Sequence, residues 1–180
     1  MRKIRRIGLS LVLAIVLTLG LVAPALATNP TVSITVTASV TSITNTITQW
    51  DIGTITTTAT VYFSATGAED LDYSQILNNG STIVDIEIQG AIIEGGDYDW
   101  ALSATGEAGN QTYGLLANNP SGGATYNVTV KSSAFVDLTT GLAIDGTYNW
   151  TMKFLGPTAF SPADDGNEKS TTVTLVASPA

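Results

Sequence analysis

The feature that most constrains the fold of this chain is an alternation of apolar and polar residues with a period of two. It is clearest in "TVSITVTASV", residues 31–40, where Thr and Ser alternate with the apolar residues Val32, Ile34, Val36, Ala38 and Val40. Because successive side chains of a β-strand point to opposite faces, this pattern predicts a strand with one apolar face. A sheet must cover that face, and the sheet belongs either to the same chain or to a neighbouring copy.

Alternation of strand length recurs along the chain, in residues 59–65, 84–88, 98–104, 126–131, 148–154 and 173–177. Clusters of the turn-forming residues Gly, Asn, Asp and Pro lie between these segments. Strands that are apolar on one face predict an all-β fold, an immunoglobulin-like antiparallel β-sandwich, with a jelly roll as the alternative. Asn79-Gly80 also predicts a hairpin between residues 73–77 and 83–88.

The first 27 residues have the layout of a secretory signal peptide. A basic start at residues 2–6 precedes an apolar run at residues 7–22, and Ala25-Leu26-Ala27 forms a small-x-small cleavage site. We expect cleavage after Ala27 and a secreted protein with a single β-sandwich domain over residues 28–180. Residues 28–40 then form the N-terminal segment, and they are a candidate donor strand for a neighbouring subunit.

The charge of the predicted mature chain excludes two classes of partner. Four of the seven basic residues lie in the leader, so three lysines remain against fifteen acids and the net charge becomes −12. A chain this acidic is not expected to bind nucleic acid through phosphate contacts. Anionic membrane surfaces are equally poor partners, so we expect no membrane association after cleavage.

The chain contains neither Cys nor His. Disulfides, zinc–thiolate sites and a Ser-His-Asp triad are therefore excluded. Because the sequence places no pair of carboxylates in a shared cleft, we expect a protein that is not an enzyme. No cofactor is expected, apart from calcium, which acidic loops could bind through oxygen ligands.

Aromatic and acidic residues supply the candidate ligand contacts. Trp100 and Trp150 share their strand faces with aliphatic residues, so we expect both in the core. Trp50 shows weaker alternation and Tyr62 falls on a polar face, so these two are the candidate contacts for a polysaccharide. The candidate calcium ligands are the acidic residues of one Gly-containing loop, Asp164, Asp165 and Glu168.

Four Asn-x-Ser/Thr sequons are candidate glycosylation sites, and their asparagines are Asn79, Asn110, Asn127 and Asn149. Asn127 and Asn149 fall on predicted polar strand faces, where a glycan would meet no core residue. Because Thr and Asn are abundant in this chain, chance alone would supply several such sequons.

Two short stretches, "YDWALSATG" at 98–106 and "YNWTMKFLG" at 148–156, resemble the Trp-x-Leu strands of bacterial WxL-type cell-surface domains. The second copy departs from that pattern at Trp150-Thr151-Met152. The wider layout is similar to secreted β-sandwiches of the TasA and camelysin kind, through "WDIGTI" at 50–55, "NNGSTIVDIEIQG" at 78–90 and "KSTTVTLVAS" at 169–178. The resemblance implies a structural or adhesive role at the cell surface, and it implies no catalytic residues.

These observations predict a non-enzymatic, secreted protein of the cell surface. As a filament or surface-layer subunit, it would associate with itself or with other surface proteins by β-strand addition, with residues 31–40 as the inserted strand. The alternative is a carbohydrate-binding or adhesion module that uses its aromatic residues. The two differ in whether the apolar face of residues 31–40 is covered by the chain itself or by a neighbour.

Overall fold

The computed structural model describes residues 29–38, 43–63, 73–118, 126–164 and 166–180. The predicted leader and Val40 lie outside these ranges. Within them the chain forms twelve strands and a short 3-10 helix at Pro162–Asp164. The strands are β1 (Thr31–Ala38), β2 (Ile43–Asn45), β3 (Gln49–Thr54), β4 (Thr60–Tyr62), β5 (Ser74–Asn78), β6 (Val84–Gln89), β7 (Ala101–Leu102), β8 (Thr112–Asn118), β9 (Val128–Thr129), β10 (Val136–Leu142), β11 (Thr147–Leu155) and β12 (Glu168–Pro179).

The strands form two sheets that pack face to face. One sheet has the order β10-β6-β12-β1-β3, and the other has the order β2-β5-β11-β8-β7, with β4 also paired to β11 and β9 to β8. Antiparallel pairs dominate both sheets. The predicted all-β sandwich is confirmed, whereas its immunoglobulin-like subclass stays a prediction. No helix in the described ranges is long and apolar enough to cross a lipid bilayer.

The N-terminal strand β1 lies inside the five-stranded sheet, between β12 and β3. It pairs in parallel with β12 from Thr31 opposite Glu168 to Ala38 opposite Leu175. On its other side it pairs antiparallel with β3, where Ile34 lies opposite Trp50. Because Val32, Ile34 and Val36 are buried between the sheets, β1 contributes a row of side chains to the core.

The core between the sheets is formed by the inward faces of the alternating strands. Trp150, Met152 and Phe154 of β11 are buried, as is Trp100 just before β7, and both tryptophans are at most 1% exposed. The prediction that Trp100 and Trp150 belong to the core is therefore confirmed. Large aromatic side chains in such a layer remove extensive apolar area from water.

The predicted hairpin at Asn79-Gly80 is wrong, because β5 and β6 lie in different sheets. The side chain of Asn78 provides the physical reason. Its amide nitrogen donates to the carbonyl oxygens of Thr82, Leu142 and Ala143 at 2.9, 3.0 and 3.1 Å. These bonds hold the turn against the β10–β11 connection, so the chain crosses from one sheet to the other instead of folding back.

Truncation of one inward side chain of β1 should destabilise the protein far more than truncation of its outward neighbour. Ile34 is fully buried and Thr35 is exposed. We expect Ile34→Ala to lower the free energy of unfolding by about 2–5 kcal/mol, because it leaves a cavity. Thr35→Ala should cost less than about 1 kcal/mol. Urea titration measures both, and equal losses would show that β1 does not pack into the core.

Candidate functional site

The slot that β1 occupies is the first candidate site. Among the described strands, β1 is the sole sheet neighbour of β3, and it pairs with β12 from Glu168 to Leu175. Without β1, the main-chain groups of β12 and β3 would face each other across a gap one strand wide. Such a gap accepts an extended chain through main-chain hydrogen bonds, and its pockets select the side chains.

Main-chain contacts beyond the ladders also hold β1 in place. The amide of Thr31 donates to the carbonyl of Asn167 at 3.2 Å, and the amide of Ile55 donates to the carbonyl of Pro30 at 3.2 Å. Farther along, the amide of Val36 donates to the carbonyl of Thr48 at 3.0 Å. These bonds fix the start of the strand and its position against the β3 side of the slot.

Three of the five residues predicted for the assembly strand have buried side chains in the slot of their own chain. Val32, Ile34 and Val36 are 1%, 0% and 3% exposed. Ala38 lies opposite Leu175 at the end of the ladder, and Val40 lies outside the described residues. Burying each of these three branched side chains contributes roughly 1.5–3 kcal/mol.

Trp50 does not lie on the surface, so its prediction as a ligand contact is wrong. It is 3% exposed, and its ring meets that of Phe63 edge-on at a centroid distance of 5.5 Å. The reason is the register of β3, which places Trp50 opposite the inward-pointing Ile34. Paired residues on neighbouring strands share a face, so Trp50 must point into the core.

Tyr62 is half-exposed on the outer face of the seven-stranded sheet, as a contact residue requires. It is 36% exposed and lies opposite Lys153 of β11. The ring of Tyr126 lies 5.7 Å from that of Tyr62, and Lys153 Nζ lies 5.2 Å from the centroid of Tyr126. We call these three residues, Tyr62, Tyr126 and Lys153, the tyrosine patch.

Asp164 is buried against Lys169 and Trp100, so the prediction of this one residue as a calcium ligand is wrong. It is fully buried, its Oδ1 lies 2.9 Å from Lys169 Nζ, and its Oδ2 accepts a hydrogen bond from Trp100 Nε1 at 3.2 Å. Asp165 lies outside the described residues, and Glu168 is exposed at the start of β12. The described residues contain no group of three or more acidic side chains that could hold a metal ion.

Sequence reasoning missed the buried ammonium of Lys169. Its Nζ donates to the carbonyl oxygens of Gly95 and Tyr98, both at 2.6 Å, and lies 5.0 Å from the centroid of the Trp100 ring. With Asp164, these groups surround the charge, as a buried cation requires. We call Lys169, Asp164, Trp100 and the two carbonyls the lysine cage. A Lys at an inward position of an alternating strand was the signal for it.

A polar groove of about 750 Å³ crosses the outer face of the sheet where β3, β1 and β12 adjoin. Its lining includes the carboxylates of Asp51, Glu94 and Glu168, together with the hydroxyls of Ser33 and Ser170. The outer face of β1 forms part of the groove, so its shape depends on β1 being in place. Its charge makes an anionic polymer an unsuitable ligand.

Three of the four sequon asparagines, Asn79, Asn110 and Asn127, are exposed. Asn149 is half-buried in β11, where its amide oxygen accepts a hydrogen bond from Gln75 Nε2 at 3.0 Å. Thr151 of the same sequon is buried. A glycan would therefore meet less obstruction at the first three positions than at Asn149.

No family model matches the chain, and no curated protein is significantly similar to it. The slot of β1 and the tyrosine patch therefore stand as candidate sites on their geometry alone.

The buried phenol of Tyr113 predicts a loss of stability at high pH. Burial raises its pKa well above the usual 10.0, and a hydrogen bond with the Thr171 hydroxyl offsets part of the shift. Above about pH 10 the unfolded phenol ionises while the folded one stays neutral, so the unfolded state binds fewer protons and the free energy of unfolding falls.

Urea unfolding across this pH range measures the effect. Between neutral and high pH, the free energy of unfolding of Tyr113→Phe should fall less than that of the wild type. The carbonyl of Ala91, which accepts from the Tyr113 hydroxyl, retains a second donor in Thr171 at 3.1 Å, so the variant should fold. The prediction is contradicted if the free energy of unfolding decreases equally steeply with pH in the two proteins.

Proposed function

We propose that this protein is a secreted, non-enzymatic structural protein of the cell surface, and that its copies assemble into filaments by exchanging β1. The observation that carries the proposal is the position of β1 in the slot between β12 and β3. With the leader removed after Ala27, this strand starts three residues from the new N-terminus. A terminal strand can leave and enter a sheet without threading a loop.

Exchange is physically simple because donor and acceptor have the same sequence. The β1 strand of a neighbouring copy would make the same ladder hydrogen bonds and place Val32, Ile34 and Val36 in the same pockets. Each chain would give one strand and accept one, which is a head-to-tail contact. Contacts of this kind do not close on themselves unless the rotation between subunits forms a ring, so they generate filaments.

The charge of the chain supports strand insertion as the means of assembly. At a net charge of −12 after leader removal, copies repel one another at long range. Only three lysines remain, and one of them, Lys169, is buried. Surface ion pairs between copies are therefore scarce, and short-range apolar and main-chain contacts must supply the affinity.

Cysteine trapping tests the exchange, because the chain has no Cys of its own. Ser33 and Ser170 lie opposite each other on the outer face of the β1–β12 pair. We expect Ser33→Cys and Ser170→Cys, secreted separately and mixed during assembly, to form a disulfide-linked heterodimer under mild oxidation. Neither single variant can form this bond within one chain.

A matched pair controls for random collision. Ser33→Cys mixed with Ser178→Cys should give little heterodimer, because Ser178 lies opposite Asp85 and far from Ser33 in the register. Non-reducing electrophoresis and peptide mapping identify the products. If filaments form and both mixtures give equal yields of heterodimer, strand exchange is overturned. It is also overturned if filaments form and the Ser33→Cys and Ser170→Cys mixture gives no heterodimer.

The tyrosine patch supports a second candidate function, a carbohydrate-binding or adhesion module. Two aromatic rings next to each other on an exposed sheet face offer a platform on which the apolar face of a sugar could lie. The ammonium of Lys153 beside them could donate hydrogen bonds to sugar hydroxyls.

Polysaccharide pull-down tests this second function. If the patch binds a glycan, Tyr62→Ala should weaken the binding about tenfold or more, by analogy with other aromatic contacts. Tyr73→Ala is the matched control, because Tyr73 is 47% exposed and lies directly before β5, outside the tyrosine patch. Retention of binding in Tyr62→Ala, or no binding by the wild type to any polysaccharide, would exclude this function.

A further inference from the structure

The contact between Lys169 and Asp164 differs from an ordinary surface ion pair. Both side chains are fully buried, and Lys169 Nζ lies 2.9 Å from Asp164 Oδ1. This contact lacks the direction of a hydrogen bond, and Oδ1 has no other hydrogen-bond donor among the described residues. The amine and the carboxyl group are thus held close together and away from solvent.

We infer that Lys169 and Asp164 form an intramolecular amide between Nζ and Cγ. Three groups of the lysine cage favour this reaction. The carbonyl oxygens of Gly95 and Tyr98 each accept a hydrogen bond from Nζ, which fixes the nitrogen. The indole N–H of Trp100 donates to Oδ2, the oxygen on which negative charge develops during attack.

The reaction requires no reagent beyond the two side chains. One proton passes from the ammonium to Oδ1, and the lone pair on Nζ then forms the bond to Cγ. A second proton moves from the nitrogen to Oδ1, the Cγ–Oδ1 bond breaks, and water leaves. Oδ2 becomes the amide oxygen and continues to accept the Trp100 N–H, while the remaining amide N–H donates to one of the two backbone carbonyls. Fixed proximity replaces the bimolecular encounter that makes this condensation slow in water.

The cross-link would join the 3-10 helix directly to the start of β12. It would hold Lys169 in the register that places it opposite Val32 of β1. Since the chain has no Cys, it has no disulfide with which to make such a covalent tie. This inference is independent of strand exchange, because the bond forms within one chain.

Mass spectrometry of the wild-type protein tests the bond directly, and no variant has to fold. We expect the intact secreted chain to be lighter than its sequence by the mass of one water. An amidated Lys169 resists trypsin, so the denatured protein should yield residues 154–180 as one peptide, also lighter by one water. Cleavage after Lys131 and Lys153 in the same digest is the internal control.

One other reaction loses water in this region, and the digest distinguishes it. A succinimide at Asp165-Gly166 or Asp145-Gly146 would lower the mass equally but would leave trypsin free to cleave after Lys169. Lys169→Arg keeps the positive charge but not the amine, so its mass should match its sequence. A wild-type chain of unshifted mass that is cleaved after Lys169 would overturn the inference, as would the same mass loss in Lys169→Arg.

Discussion

The apolar face of β1 and the slot that covers it are the constraint on which the rest of the sandwich depends. Val32, Ile34 and Val36 reach the core from a strand whose two neighbours, β12 and β3, do not pair with each other. One strand therefore joins the edge strand β3 to the rest of its sheet and fills the core beneath. Any copy of the same segment meets the same requirements, which is why this position supports the proposed function.

The lysine cage sets the register of that slot. Lys169 lies opposite Val32 in the parallel pair, and its Nζ is held by the carbonyls of Gly95 and Tyr98. A slip of β12 by one residue would turn Lys169 to the opposite face and leave the buried side chain of Asp164 without its partner, which is costly. The buried polar cage and the apolar strand thus fix the same end of the sheet by different means.

The period-two pattern predicted the strands whose outer face is turned toward solvent, such as β1, β11 and the centre of β12. It missed β8 because that strand is covered on both sides; a Cβ on Gly114 would lie 2.4 Å from the carbonyl oxygen of Gly106. It missed β10 because two register shifts interrupt its alternation. The inward position of Lys169 could be read from the alternation of β12, but its two carbonyl acceptors could not be predicted, because they are backbone groups more than 70 residues away along the chain.

Electron microscopy of a chain locked in its own slot tests the central claim most directly. In the double variant Ser33→Cys/Ser170→Cys, a disulfide across the β1–β12 pair would prevent β1 from leaving. Strand exchange predicts that the oxidised protein stays monomeric, and that the same sample forms filaments once the disulfide is reduced, as the wild type does. Filaments from the oxidised protein, or none from the reduced protein and the wild type, would contradict it.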